Sequence, residues 1–276
     1  MPVESLFDNT FLARSRQRAL RIGDKGAWFL LDATISDLSE RLGTVERDFA
    51  NAAVLDPPTG GIAAALAQSG KVGSVSCVFA DPAAAGRIPL EPASIDLAVS
   101  LLTLQVDNDL PGTLVQLRRA LRPDGLFVAA LLGAGTLAEL RESLLGAEAE
   151  LHGGASARVI PFADVRDAGA LLQRAGLALP VTDVEPYTVR YPSLTRLMHD
   201  LRAMGAANPL AARSRRPASR RLFARAEEIY RARHGDPDGR LRATFNVIWM
   251  SGWAPHESQQ TPLNPGSATR SLKDVL

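Results

Sequence analysis

The sequence predicts an α/β fold: a mostly parallel sheet with helices on both faces, ending in an antiparallel C-terminal pair. Three observations carry that expectation. Short apolar runs that stop at proline, glycine or aspartate alternate with stretches of helical spacing. The run Leu126–Leu132 is apolar throughout, as a strand covered on both faces should be. The last two β-like runs, Val181–Val189 and Arg242–Trp253, flank a long helical excursion from Pro192 to Arg233, which must return to an existing sheet edge.

Taken in order, residues 1–50 read as a helical segment, with Phe11-Leu12 set against Arg14, Arg16, Arg18 and Arg21, and apolar residues at helical spacing over Phe29–Leu42. Ala52–Leu55 is a strand that stops at Asp56-Pro57-Pro58-Thr59-Gly60-Gly61, which cannot continue a regular element. An alanine-rich helix, Ile62–Gln68, follows. Val75–Phe79 is a second strand ending at Asp81, and Ile95–Leu102 a third. The helix Leu110–Leu121 is stopped by Pro123-Asp124-Gly125, and Asp109 is placed to cap it. After Leu126–Leu132 come helices at Thr136–Leu151 and Ala163–Ala175, the strand Val181–Val189, helices at Pro192–Met204 and Ser219–Arg233, and the strand Arg242–Trp253. The expected organisation is a helical segment 1–50, a main domain 51–255 with a helical cap at 192–238, and an extended tail 256–276.

Composition bounds the function. The 31 basic and 30 acidic side chains leave a net charge of +1, which argues against a nucleic-acid coat. A single cysteine, Cys77, excludes an intramolecular disulfide, a CxxC pair and any multi-cysteine zinc site. The longest uncharged apolar run, near Leu126–Ala138, is shorter than the roughly 20 residues that span a bilayer. Glu4 and Asp8 precede any apolar stretch, unlike a signal peptide, so a cytoplasmic protein without membrane insertion is expected. His152, His199, His234 and His256 show no metal-ligand spacing, and no metal site is expected.

Open α/β sheets bind ligands beyond the carboxyl ends of their strands, so Asp56–Gly61 is the first candidate site. It carries neither GxGxxG nor GxxxxGK[ST], and a tight strand-to-helix turn without a ligand explains it about as well. Asp107, Asn108 and Asp109 fall at the same edge after the third strand. The stretch Arg213, Arg215, Arg216, Arg220, Arg221 and Arg225 reads as a solvated helix face or as a surface for an acidic protein.

Further motifs resemble a known family. They are Leu6-Phe7-Asp8, Ser94–Ser100, Asn108-Asp-Leu-Pro111, Leu121–Phe127, Gly135–Arg141, Gly153–Ser156, Pro161-Phe162, Leu197–Gly205, Gly252-Trp253 and His256–Ala268. Together they resemble the class I S-adenosylmethionine-dependent methyltransferase superfamily. Within it, they resemble the group that contains the mitochondrial complex I assembly factor acting as an arginine hydroxylase, with its alphaproteobacterial relatives. The resemblance covers nearly the whole chain and implies a Rossmann-like class I methyltransferase fold. It implies S-adenosyl-L-methionine as cofactor, held by Asp56, Thr59, Gly60, Gly61, Asp81, Ser100 and Leu101. The substrate it implies is a protein, such as a respiratory-complex subunit, modified by methylation or arginine hydroxylation. No residue is assigned to catalysis.

Two departures accompany the resemblance. Where the family carries GxGxG after the strand's acid, Pro58 takes the first glycine position and Ile62 the third; only Gly60 remains, expected to be a close-approach position open to positive φ. Gln105-Val106 replaces a His-Trp pair of the group. Only 25 residues separate Asp56 from Asp81 and 15 separate Asp81 from Asp96, so one β-α unit of about 20 residues is expected to be missing. By its distance to the next strand, Asp81 fits the adenine-side aspartate, which leaves the ribose without a carboxylate. The alternative function is therefore a degenerate, non-catalytic methyltransferase-like binding or assembly protein that binds the cofactor weakly or not at all.

Overall fold

The computed structural model describes residues 5–81, 86–215 and 217–260. Six strands form one sheet in the order β2-β1-β3-β4-β6-β5: β1 (Phe49–Leu55), β2 (Val72–Val78), β3 (Ile95–Leu101), β4 (Leu121–Leu132), β5 (Ala178–Tyr191) and β6 (Leu241–Trp253). The first four are parallel, and β6 and β5 close the other side as an antiparallel pair. This is the expected topology, including the C-terminal pair.

Eight α-helices cover the sheet: α1 (Asn9–Ile22), α2 (Phe29–Gly43), α3 (Gly61–Gln68), α4 (Leu110–Ala120), α5 (Ala138–His152), α6 (Val165–Arg174), α7 (Leu194–Ala203) and α8 (Arg220–His234). The period-2 alternation of β4 divides the core. Val128, Ala130 and Leu132 pack with α2, α5, α7 and α8, whereas Phe127, Ala129 and Leu131 pack with α4 and α6. That two-sided burial is why the strand reads as an unbroken apolar run.

Local chemistry sets the ends of the helices. Asp8 caps α1 by accepting from Phe11 N–H, and Asp109 caps α4 by accepting from Gly112 N–H, as its spacing suggested. The Pro123-Asp124-Gly125 turn lies inside β4 rather than before it. The register with β3 jumps from Ile95–Leu121 to Leu97–Leu126, so Arg122–Gly125 forms a bulge. Asp124 has φ 61° there, and its backbone and that of Gly125 pair with Ala254.

The missing unit leaves its mark at β2. Among the described residues no helix lies between β2 and β3, and β2 ends the sheet. Gly73, Ser74, Ser76 and Cys77 are exposed on this edge strand, whereas Val72 and Val78 at its ends are buried. Arg216, residues 82–85 and the tail from residue 261 lie outside the described residues. Of the arginine stretch, Arg213 pairs with Asp8 and lies over the Phe11 ring, and Arg225 pairs with Glu150 and Glu228. No helix among the described residues is long and apolar enough to cross a membrane.

Candidate cofactor and substrate site

The carboxyl ends of β1, β3 and β4 open into a cavity of about 980 Å³, including its mouth. Its floor is Pro58, Leu102, Thr103, Gln105 and Val106, from the loops after β1 and β3. Leu12 and Arg16 of α1, Trp28, and Leu201–Pro209 at the end of α7 close over it, with Leu137, Leu140, Arg158 and Phe162 on the far side. The cap's second helix, α8, contributes no lining residue. It packs on α5 instead, where Ile229 sits against Gly146. The roof is thus α1 with the end of α7, not α7 with α8.

Asn108 explains why the N-terminal segment crosses this edge. Its amide donates to Phe7 C=O (3.0 Å) and accepts from Phe7 N–H (2.8 Å), while Phe7 bridges to Leu210. Two of the recognised motifs, Leu6-Phe7-Asp8 and Asn108–Pro111, therefore meet at the rim with the segment after α7.

The residues expected to hold the cofactor are dispersed around the cavity, and none of the seven lines it. Asp56 ends β1 with φ 45° and accepts from Ala80 N–H at 3.2 Å. Burial pushes its carboxyl above the usual range, opposed by the nearby Arg16 charge and the Ala80 N–H, and Asp107 adds to the rise. Thr59 accepts from Gly61 N–H (3.3 Å). Gly60 does not have the expected backbone: φ is −71° and ψ −3°, and an added Cβ would meet nothing within 4 Å. Gly60 is the N-cap residue of α3, with its backbone already in the right-handed region, and not a close-approach glycine. Ser100 and Leu101 are fully buried, with the Ser100 hydroxyl 2.9 Å from that of Thr103.

Asp81 follows β2 at the edge of the sheet. Because β2 lies directly beside β1, Asp81 follows the strand from which doubly wound folds present a carboxylate to a ribose. Among the described residues no strand lies beyond β2.

Two lining groups escaped the sequence reading. Gln105 donates through Nε2 to Leu102 C=O at 2.7 Å, which fixes the amide's orientation and leaves Oε1 buried without a donor. Arg16 is half-buried and has no hydrogen bond or ion pair among the described residues. In the sequence Gln105 stands out only as a departure from the group's His-Trp pair and Arg16 only as one basic residue of the first helix; their shared place in the cavity wall is a tertiary contact. A third cluster is structural: Arg196 pairs with both Asp24 (3.5 Å) and Asp200 (3.1 Å), with His199 beside them, and so ties α7 to the turn before Trp28. The guanidinium already supplies the cation between those carboxylates.

With this geometry in place, the comparisons are specific. Residues 39–129 match a methyltransferase domain family. The fold is shared with a proposed methyltransferase from Bacillus halodurans, with TM-score 0.52 and 12% identity over 80% of this chain and 98% of that one. The chain folds as a class I methyltransferase domain does. This domain is similar to the mitochondrial arginine-hydroxylase NDUFAF5 of Dictyostelium discoideum, 42% identical over 67% of this chain and 43% of that protein. It is similar to the same-named protein of Danio rerio, 39% identical over 72% and 61%. A malonyl-[acyl-carrier protein] O-methyltransferase of Laribacter hongkongensis is 38% identical over 65% and 58%. The chain thus spans about half the length of these curated relatives.

Proposed function

We propose that this methyltransferase domain binds S-adenosyl-L-methionine in the cavity at the carboxyl edge and acts on a protein substrate, as a cytoplasmic member of the complex I assembly-factor group. The single observation that carries this reading is the cavity itself: it lies at the ligand-binding edge of an open α/β sheet and holds an orphaned buried acceptor, Gln105 Oε1. Bound there, the cofactor would supply a methyl group on a sulfonium. Asp81 stands on the ribose side, and Pro58, Leu102 and Val106 provide apolar surface at the reacting end. Burial under α1 and the end of α7 would exclude water and fix the alignment that methyl transfer requires. The similarity to NDUFAF5 extends the proposal to a respiratory-complex subunit as substrate.

A second reading, a non-catalytic binding protein, is favoured by Pro58. It stands in the cavity wall where the family has a glycine, and it removes a backbone donor. Titrating the purified chain with S-adenosylmethionine in a calorimeter separates the two. Saturable binding at micromolar to submillimolar concentration is expected; no heat at millimolar cofactor would establish the binding-protein reading.

A further inference from the structure

Unmatched positive charge gathers on the outer side of the cavity's roof. Arg14, Arg18 and Arg21 fall at i, i+4 and i+7 of α1, so they share one stripe of the helix. All three are exposed, and none makes an ion pair among the described residues. α1 itself carries no acidic residue. The acids at its two ends are already taken, Asp8 by Arg213 and Asp24 by Arg196. Lys25 follows in the next turn, exposed and likewise without an ion pair. Arg202 is exposed one turn before Gly205, which packs on Arg16 and Ala19 of α1. Arg215 is exposed and lies close enough to Asp8 to act on its charge.

Arginine is abundant along the whole chain, so its pairing carries more information than its number. On α8, Arg225, Arg231 and Arg233 each meet a glutamate. On α6, the exposed Arg166 shares the first turn with Asp164 and Asp167. α1 instead sets like charges at i and i+4 with no acid of its own to relieve their repulsion. Leu20, 59% exposed, and Ile22 stand among these cations on the last turn. Arginine beside exposed aliphatic surface is the composition of a protein interface. A single-stranded nucleic acid would stack on exposed rings between the charges, but Phe11, the one ring of α1, lies under Arg213. A membrane would take up the helix's apolar face, but Ser15 and Ala19 are buried and Leu12 lines the cavity.

We propose that this surface docks a protein whose own surface is acidic, held by carboxylates on the arginine stripe of α1. A guanidinium fork matches an Asp or Glu carboxylate, and Leu20 and Ile22 supply the apolar contact between the pairs. Leu12 and Arg16 of the same helix line the cavity, so a partner held on the stripe stands beside the mouth. The partner's role as substrate rests on the function proposed above; its binding does not.

The probe is a short, labelled poly-L-glutamate titrated with the full chain and followed by fluorescence anisotropy. Wild type is expected to bind it at low salt and more weakly as salt rises. Arg14→Gln, Arg18→Gln and Arg21→Gln together should weaken binding by about tenfold or more. The same exchange at Arg119, Arg166 and Arg174, exposed on α4 and α6, should leave it unchanged. Arg18→Glu, at the centre of the stripe, serves as a single variant should the triple one melt early. Equal loss in the two triple variants would reduce the effect to net charge and overturn the proposal. So would wild-type protein that does not bind the probe at low salt. Tighter binding of phosphatidylglycerol vesicles, or of a single-stranded oligonucleotide, through the same arginines would replace the protein partner with a membrane or a nucleic acid. Calorimetry with S-adenosylhomocysteine separates this proposal from the cofactor reading, since the α1 variants should bind it as wild type does. Wild-type protein that binds poly-L-glutamate but no S-adenosylhomocysteine would overturn the cofactor reading alone.

Discussion

Arg158 in the cavity wall is held by Glu148, which accepts from its Nε at 2.9 Å and its Nη2 at 2.5 Å and also from Ser156 N–H at 2.7 Å. Glu148 is only 5% exposed although it lies on α5. Burial pushes its carboxyl up, but the Ser156 N–H, the Arg158 guanidinium and the Ser156 hydroxyl outweigh that and hold it below the usual range. The lowered carboxyl contributes stability that is present above its unfolded value and lost as pH falls through the folded one. Glu148→Gln is therefore expected to lower stability by about 1.5–3 kcal/mol at neutral pH, the usual scale of a hydrogen bond to a charged group. The difference from wild type should shrink toward acid pH in melts run between neutral pH and pH 3. A difference that does not vary with pH would contradict this.

Asp56 should behave in the opposite sense. Its carboxyl is raised, so the folded state prefers the protonated form and stability falls as pH rises through that range. Asp56→Asn keeps an oxygen for Ala80 N–H and removes the buried charge. The variant is expected to melt no lower than wild type at pH 7, and higher relative to it as pH rises from 4. Melts of both proteins between pH 4 and neutral pH check the sign.

Two glycines contrast. Gly60→Ala should shift stability by no more than about 0.5 kcal/mol, since the backbone is ordinary and the space is open. Gly135 has φ 87°, and an added Cβ would stand 2.5 Å from Asn246 Nδ2, the donor to Ala134 C=O. Gly135→Ala is expected to cost more than 1 kcal/mol, from the left-handed backbone and the displaced amide. Urea titrations of the two variants measure the difference.

Pro58→Gly should tighten S-adenosylhomocysteine binding. It returns one backbone donor to the cavity wall and relaxes φ. One recovered hydrogen bond is worth about 0.5–1.5 kcal/mol, or roughly two- to tenfold in affinity. Weaker or unchanged binding by calorimetry would show that the loop no longer limits the site.

Much of this molecule is legible one residue at a time. The strand–helix alternation, the apolar run of β4, the cap at Asp109 and the return of β6 beside β5 all follow from local patterns. They depend on dihedral preference, on burial and on how far a short connection can reach. The shortened passage between Asp56 and Asp96 is likewise visible as a simple count, and the position of β2 at the edge of the sheet is its consequence.

What only the tertiary structure decided is which residues face the cavity. Strand order puts β2, and Asp81 after it, on one side of β1 and β3 on the other, because a parallel sheet need not add strands in the order they are made. Gly60 was legible as a glycine but not as the N-cap of α3 with an ordinary right-handed backbone. Arg16 and Gln105 lie 89 positions apart in the chain, on a helix and a turn whose sequences carry no ligand motif. They share one cavity because Asn108 fastens Phe7 across the sheet edge and so brings α1 over it. Local sequence determines elements through short-range sterics and hydrophobic periodicity; a site assembled by long-range contacts has no periodicity to read.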